Sequence, residues 1–281
     1  MWRKGNMEVE AYIDEYLEFK DELKSFLFRM LANRQDAEDI LQETYLKIND
    51  NIDSFRGESS FKTWVFTIAL NLARNLLKKN ALWKVEDTDI ARTLHEQDPQ
   101  LALQAVNVFF TSSPDKNFRI KEHLDYCFTC ITKTLDLTQQ VCLLLKEVYG
   151  FKQNEIEKIT SLSEGKVKHG IVDARKNMVR IFKNRCALIN KTGVCDQCSA
   201  LKGRLNPDQD AHVEANKLKL TQAAATEDGE RLLDLRLELV RSIDPINKPS
   251  SQIHMHFLEN MPQWVKLAET GTKEPPNKSV P

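Results

Sequence analysis

Four of the six cysteines fall into two Cys-x-x-Cys pairs, Cys127/Cys130 in DYCFTC and Cys195/Cys198 in VCDQC. Thiolates at that spacing hold zinc or cycle as a redox pair. The first pair shares one face of a predicted helix, and the second sits in a turn after Gly193. Together they offer the ligands of a structural zinc that would pin the C-terminal part of the chain back onto the segment around Cys127. The 64 residues between Cys130 and Cys195 exceed ordinary finger spacing, so redox sensing and plain core packing stay open beside zinc. Cys186 could replace one ligand, and Cys142 in VCLLL reads as core. The His254-x-His256 pair is not assigned to metal. No phosphate-binding loop, nucleophile triad or catalytic carboxylate pair is present, so the chain does not read as an enzyme.

A second kind of chemistry is written in charge. Lys+Arg is 40 and Asp+Glu is 41 over 281 residues, a net charge of -1. That total hides blocks. Asp36 to Asp53 holds six acids against one base, Ser60 to Lys84 holds five bases and no acid, and Lys166 to Lys191 holds eight bases and one acid. Alternating blocks of this kind imply several partner surfaces.

These residues need helices to position them. Nine Gly and nine Pro, with long Leu/Ile/Lys/Glu-rich runs, predict an all-α chain. In Asp36–Asp50 the apolar positions Ala37, Ile40, Leu41, Tyr45 and Ile48 repeat at helical spacing. Asp36, Asp39 and Glu43 form an acidic stripe on another face. SFRGESSFKTW, residues 54–64, is a Gly/Ser turn flanked by aromatics and bases. Phe61, Trp64, Val65, Ile68, Leu72 and Leu76 predict the buried side of the helix that follows. Thr63, Thr67, Asn71, Arg74, Asn75 and Lys78 run down the opposite side as a polar-to-basic edge. Residues 81–119 read as a linker with one short helix near Leu101–Phe110 and a turn cluster at TSSPDKN.

Further on, FKQNEIEKITSLSEGKVKHGIVDARKNMVRIF has the pattern of a helix-turn-helix. Phe151, Ile156 and Ile159 mark a short first helix, Thr160–Leu162 the turn, and Ser163 an N-cap. Val167, Ile171, Ala174, Met178 and Ile181 predict the buried face of the second helix. Glu164, Lys166, Lys168, His169, Arg175 and Lys176 are left outward, where such a helix meets base edges and phosphates. Gly170 in the helix interior suits a close approach. Beyond residue 186, helical patterns near Asp208–Ala225 and Gly229–Ile243 precede a Pro-rich, poorly ordered tail.

RQDAEDILQETYLKINDNIDSFRGESSFKTWVFTIALNLARNLLKK resembles region two of bacterial sigma factors of the extracytoplasmic-function (ECF) group. Asp36-Ala37-Glu38-Asp39, Gln42-Glu43-Thr44, Phe55-Arg56-Gly57, Phe61, Trp64, Asn71, Ala73 and Arg74 carry the likeness. Residues 120–185 resemble region four through Glu155-Ile156, Ser163-Glu164-Gly165, Val167-Lys168 and Ala174-Arg175. The chain departs from the pattern at Leu135-Asp136, where the family usually has Leu-Pro, and at Lys166 and Gly170.

The resemblance implies two small helical domains joined by a linker: 9–80 as region two, 81–119 as linker and 120–186 as a region-four helix-turn-helix. A Cys-containing helical extension follows at 187–281, regulatory in role and ending in a disordered tail. It implies that Asp36, Asp39, Gln42 and Glu43 dock core RNA polymerase. Arg56, Glu58, Ser59, Ser60, Lys62, Thr63, Thr67, Asn71, Arg74, Asn75 and Lys78 would meet the minus-ten element and the opened non-template strand. Ser163, Glu164, Lys166, Lys168, His169, Arg175 and Lys176 would meet duplex promoter DNA at minus thirty-five. Transcription initiation at a stress-, envelope-, metal- or redox-responsive set of promoters is the implied role, with an anti-sigma factor as a further partner. No cofactor is required, and a structural zinc on Cys127, Cys130, Cys195 and Cys198 is the open option. With no apolar run near the ~20 residues of a membrane span and no secretory signal at MWRKGNMEVEAY, no membrane partner and a cytoplasmic location are expected. The competing reading is a stand-alone helix-turn-helix regulator with a metal- or redox-sensing cysteine site.

Overall fold

The computed structural model of the chain describes residues 2–78, 83–112, 119–190, 211–246 and 252–270. The described residues are helical and joined by short turns, with no strand among them. Helices α1 (Trp2–Leu31), α2 (Arg34–Asn51) and α3 (Phe61–Leu77) pack together first. Ala32 breaks α1 from α2 with a left-handed φ of 57°. Asn33 then caps α2, its side chain accepting from the Asp36 amide. Phe19, Leu23, Phe26 and Leu27 of α1 meet Ala37, Ile40 and Leu41 of α2 and Phe61, Val65 and Phe66 of α3. Tyr45, expected in this core, is 39% exposed and leans on Tyr16 at 5.6 Å between ring centroids. Thr44 takes the buried place, its hydroxyl satisfied by the Ile40 carbonyl at 2.7 Å.

The second group is α6 (Ile120–Thr132), α7 (Leu137–Leu143), a π-helical turn at Leu144–Val148, α8 (Gln153–Thr160) and α9 (Glu164–Arg185). Asp136, where Leu-Pro was the family norm, caps α7 by accepting from the Gln139 amide. Ser161, in left-handed backbone at φ 58°, makes the turn between α8 and α9. Val167, Ala174, Met178 and Ile181 are buried as the period required. The close approach at Gly170 is to a side chain: a Cβ there would lie 3.2 Å from the Cys142 sulfur. Cys142 is fully buried core.

The stretch 81–119 holds two helices where one was expected, α4 (Asp87–Gln97) and α5 (Pro99–Ser112). Its turn cluster falls largely outside the described residues. The C-terminal segment adds α10 (Ala187–Asn190), α11 (Ala211–Asn216), α12 (Lys219–Ala223), α13 (Gly229–Arg241) and α14 (Gln252–Thr270). Much of the tail expected to be disordered is thus α14, which packs on α4, α5 and α6. Ile253, Leu258, Met261 and Trp264 are buried there against the apolar sides of α4 and α5. His254 is buried beside His123 and Tyr126, and burial, with His123 adding to it, pushes its imidazole well below the ordinary range. Glu259 of α14 reaches α2, accepting from the Arg34 amide at 2.9 Å, where a carboxylate complements the helix N-terminus.

One buried cation joins all these parts. Arg29, 1% exposed near the end of α1, donates to Asp125 Oδ1 of α6 at 2.7 Å and to the Tyr149 hydroxyl at 2.8 Å. It also donates to the Val240 and Ile243 carbonyls at 3.2 and 3.1 Å, at the end of α13. Burial opposes its charge, but Asp125 and Tyr149 outweigh that and hold the guanidinium firmly protonated. The Asp125 carboxyl is raised by the same burial, with Arg29 pulling the other way. The last carbonyls of α1 are closed from the same side: Lys133 Nζ donates to Met30 O at 2.6 Å and Gln140 to Arg29 O at 3.3 Å. Burial brings the Lys133 ammonium down to about 8.

Asp125→Ala leaves Arg29 charged and buried without its carboxylate. It should lower unfolding free energy by about 3–5 kcal/mol. Denaturant titration followed by circular dichroism reads this. A loss below about 1 kcal/mol would mean the pair does not hold the helices together.

Candidate nucleic-acid interface

The acidic stripe of α2 is formed as its spacing required. Asp39, Gln42 and Glu43 are exposed and Asp36 is half-buried. Burial, and then Asp39, raise the Asp36 carboxyl. Glu38 between them faces away, held by Lys24 at 2.8 Å and Arg34 at 3.1 Å, and is lowered by those bonds. Leu46, one turn after the stripe, is 53% exposed. An open row of carboxylates beside an exposed leucine can meet a basic, partly apolar surface.

The turn 54–60 stands on an aromatic floor. Phe55 lies 5.3 Å from Trp64, 5.6 Å from Phe61 and 5.5 Å from Tyr12 between ring centroids. Gly57 takes a φ of 69°, which needs the missing side chain. Ser60 then starts α3, accepting from the Thr63 amide at 3.2 Å and sharing a 2.8 Å bond with the Thr63 hydroxyl. Arg56, Glu58 and Ser60 are exposed and Ser59 half-buried. Phe61 is core, and Trp64 packs between the core and the turn.

The polar edge of α3 is shorter than its sequence implied. Thr63 is fully buried and Thr67 bonds the Thr63 carbonyl at 2.9 Å. Asn71, Asn75 and Lys78 are exposed. Lys62 pairs with Glu22 at 2.7 Å and lies over the Phe151 ring at 5.1 Å. Arg74 donates to the Thr160 carbonyl at 3.1 Å, at the end of α8. Lys158 of α8 returns the contact by donating to the Glu58 carbonyl. α3 is therefore covered by α8 on a second side. That is why Phe66, Ala69, Leu70 and Ala73 are buried beside the face read from the spacing.

On α9 the N-terminal turns are open. Ser163 has the extended backbone of an N-cap but makes no side-chain cap bond. Glu164 and Lys168 pair at 2.6 Å on the surface, and Lys166, His169 and Lys176 are exposed. Arg175 is different. Its guanidinium meets Glu147 at 3.1 Å, Glu230 at 2.8 Å and Asp234 at 2.7 Å, and these carboxylates outweigh burial in holding it protonated. Glu147 comes from the π-helical turn, and Glu230 and Asp234 from α13. Arg185, at the far end of α9, binds Asp89 of α4 at 2.7 Å. The sequence reading missed these clamps because every partner lies on an element distant in the chain.

Cys127 is half-buried and Cys130 buried on α6, both as free thiols. Burial, with Asp87 adding to it, pushes the Cys130 thiol up to about 12. Cys195 and Cys198 lie outside the described residues. Among the described residues no group of three or more His, Cys, Asp or Glu is placed to hold a metal, and no helix is long and apolar enough to cross a membrane.

The family described as Sigma-70 region 2 matches residues 16–82. The chain is 29% identical over 174 residues to the ECF RNA polymerase sigma factor SigX of Bacillus subtilis strain 168, across 58% of this chain and 81% of that protein. It is 29% identical over 173 residues to the ECF RNA polymerase sigma factor EcfG of Rhodopseudomonas palustris strain TIE-1, across 60% and 84%. It is 35% identical over 91 residues to the ECF RNA polymerase sigma factor SigW of Bacillus subtilis strain 168, across 32% and 48%. Among solved structures, the sigma factor RpoE in its co-crystal with the anti-sigma factor NepR from Bartonella quintana is 19% identical, over 62% of this chain and 98% of that one. The TM-score is 0.42.

Glu230→Gln with Asp234→Asn removes two of the three carboxylates on Arg175. Both are near half exposed, so the loss should be about 1 kcal/mol and should shrink at high salt. Hydrogen exchange of amides 229–241 should rise. Unchanged exchange there would show that apolar packing alone holds α13 on α9.

Proposed function

The chain belongs to the RNA polymerase sigma factors of the ECF group, non-enzymatic factors of transcription initiation, and we propose that the arrangement described above is its closed, polymerase-free form. In this reading Asp36, Asp39, Gln42 and Glu43 dock core RNA polymerase. The turn Arg56–Ser60 receives an unstacked base of the opened non-template strand. Asn71, Asn75 and Lys78 of α3, with Lys62, Thr67 and Arg74, follow that strand. Thr63, being buried, serves by positioning Ser60. The N-terminal turns of α9, with Lys166, Lys168, His169 and Lys176, enter the major groove at the minus-thirty-five element.

One observation carries the closed form. Arg74 on α3 bonds Thr160, and Lys158 on α8 bonds Glu58. The minus-ten and minus-thirty-five elements lie roughly 25 base pairs apart, about 85 Å of duplex at 3.4 Å per step. Helices in hydrogen-bond contact cannot read both at once. Engagement of promoter must therefore part α3 from α8, and docking on polymerase supplies the binding energy for it. The segment 83–112 then lengthens the reach between them. The chain works in the cytoplasm, with no cofactor needed for DNA contact. A zinc ion on Cys127, Cys130, Cys195 and Cys198 would be structural, tying the extension to α6.

Pull-down with core polymerase separates this function from that of a stand-alone regulator. The chain should be retained by core enzyme, and promoter binding should be strong only in the holoenzyme. Lys166→Ala with Lys168→Ala should weaken holoenzyme binding and flatten the slope of log affinity against log salt by about 0.9 per lost phosphate contact. Tight operator binding without polymerase, or an unchanged slope, would overturn the assignment.

A further inference from the structure

Four of the six histidines meet at α14. The His254-x-His256 pair, which spacing alone left unassigned, turns its two rings to different neighbours. His254 faces α6, its ring centroid 5.5 Å from that of His123 and 5.3 Å from that of Tyr126. His256 comes beside His95 of α4. The two share aromatic neighbours: Trp264 lies 4.4 Å from His95 and 5.7 Å from His256, and Phe257 lies 5.5 and 6.1 Å from them.

Hydrogen bonds fix which nitrogen carries the proton in each neutral ring. His95 Nδ1 lies 2.7 Å from the Ala91 carbonyl, which can only accept, so Nδ1 donates and Nε2 holds the lone pair. The Asn260 amide nitrogen donates to the His256 carbonyl at 2.8 Å and to His256 Nδ1 at 3.2 Å. There Nδ1 holds the lone pair and Nε2 the proton. Both Nε2 atoms are buried and make no hydrogen bond among the described residues. A second proton on His95 would enter at buried Nε2, where no acceptor meets it. A second proton on His256 would enter at Nδ1, against the N–H of Asn260. Either ring charged in place leaves a buried donor unpaired, and both charged repel.

The carboxylates around the pair are committed elsewhere. On α4, Asp87 accepts from the Lys84 amide, Asp89 binds Arg185, and Glu96 pairs with Arg92 at 3.8 Å. Asp98 starts α5, accepting from the Gln100 and Leu101 amides at 2.8 and 3.4 Å. α5 itself has no charged residue. On α14, Glu259 accepts from the Arg34 amide, Glu269 pairs with Lys84 at 3.7 Å, and Lys266 is exposed. On the α6 side, Glu122, Asp125 and Asp244 line a small cavity beside His254, and Asp125 is bound to Arg29. Burial lowers His95 against the pull of Ala91 and Asp98, and burial, with His95 adding to it, lowers His256.

We infer that α14 is an acid-released strap: protonation of His95 and His256 parts α14 from α4 while α1–α3 stay folded. Both rings bind a proton more readily once parted. The stability they lend to the closed strap is therefore complete above the ordinary histidine pKa of about 6.5 and is lost as pH falls below it. Release uncovers α4, α5 and the Arg34 amide at the head of the acidic row of α2. The strap depends on the packing of α14 and not on promoter recognition.

The test is hydrogen exchange of the full chain at about pH 7.5 and about pH 5.5, each amide's rate divided by its intrinsic rate at that pH. Each histidine contributes up to about tenfold per pH unit below its open-state pKa. Protection of amides 252–270 should therefore fall at least about tenfold on acidification, while that of 61–77 in α3 changes less than about twofold. His95→Phe keeps a ring against Trp264 without a titrating nitrogen, and His256→Gln keeps an acceptor for Asn260. Each variant, shown folded by circular dichroism, should shrink the fall by at least about threefold. Unchanged protection of 252–270 in the wild type, an equal fall across 61–77, or a full fall in either folded variant would overturn the strap.

Discussion

Arg29 lies in SFLFRML, a run that has to be buried, and it cannot be buried as a bare charge. The fold answers by bringing acceptors from three separate parts of the chain. Asp125 comes from α6, Tyr149 from just beyond the π-helical turn, and the carbonyls of Val240 and Ile243 from the end of α13. The Arg29 guanidinium is fully paired only while all three elements stay docked on α1. The network therefore makes docking of the extension and docking of the helix-turn-helix unit energetically interdependent. Apolar area alone would not do so, because it tolerates sliding and repacking that hydrogen bonds to one guanidinium do not.

That coupling gives the closed form its character. The bonds between α3 and α8 are few and partly exposed, and could be broken singly at small cost. Behind them stand Arg29, Lys133 and Gln140, buried and directed at the end of α1. Opening the α3–α8 contact while leaving this hub intact requires motion within the helix-turn-helix unit. Parting the two groups fully requires breaking the hub, and that needs a partner with a large differential affinity for the open state. In the proposed function core polymerase is such a partner, and the acidic row of α2 that would meet it is already exposed in the closed form.

Most of the helices were legible because their periods are strong. The caps at Asn33, Ser60 and Asp136 act on short-range chemistry that a sequence displays directly. What escaped depends on distant partners. Tyr45 is exposed, its ring against Tyr16, and Thr44 is buried in its place. Thr63 looked like the head of a polar edge, yet α8 covers that side. α4 and α14 have apolar faces that only each other's presence explains, across more than 150 residues of chain. Arg29 and Arg236 did leave a signal: each is a lone arginine inside an apolar stripe, and such a residue asks for an internal partner wherever it falls.

The two buried arginines also show how the extension differs from the parts it covers. Arg29 is saturated, so the end of α13 near Ile243 is fixed. Arg236, less than two helical turns earlier, is buried over the Phe182 ring with only the Cys186 sulfur as a hydrogen-bond acceptor, so the middle and start of α13 are held less firmly by polar contacts from below. On its outer side Glu230 and Asp234 hold Arg175 of α9 by bonds that salt can weaken. One helix is thus anchored at its C-terminal end and adjustable at its N-terminal end. The adjustable end lies on α9, next to Arg175. A modest change in charge there needs to shift only about 1 kcal/mol to alter whether Arg175 is held or free, while the saturated hub keeps the rest of the extension in place.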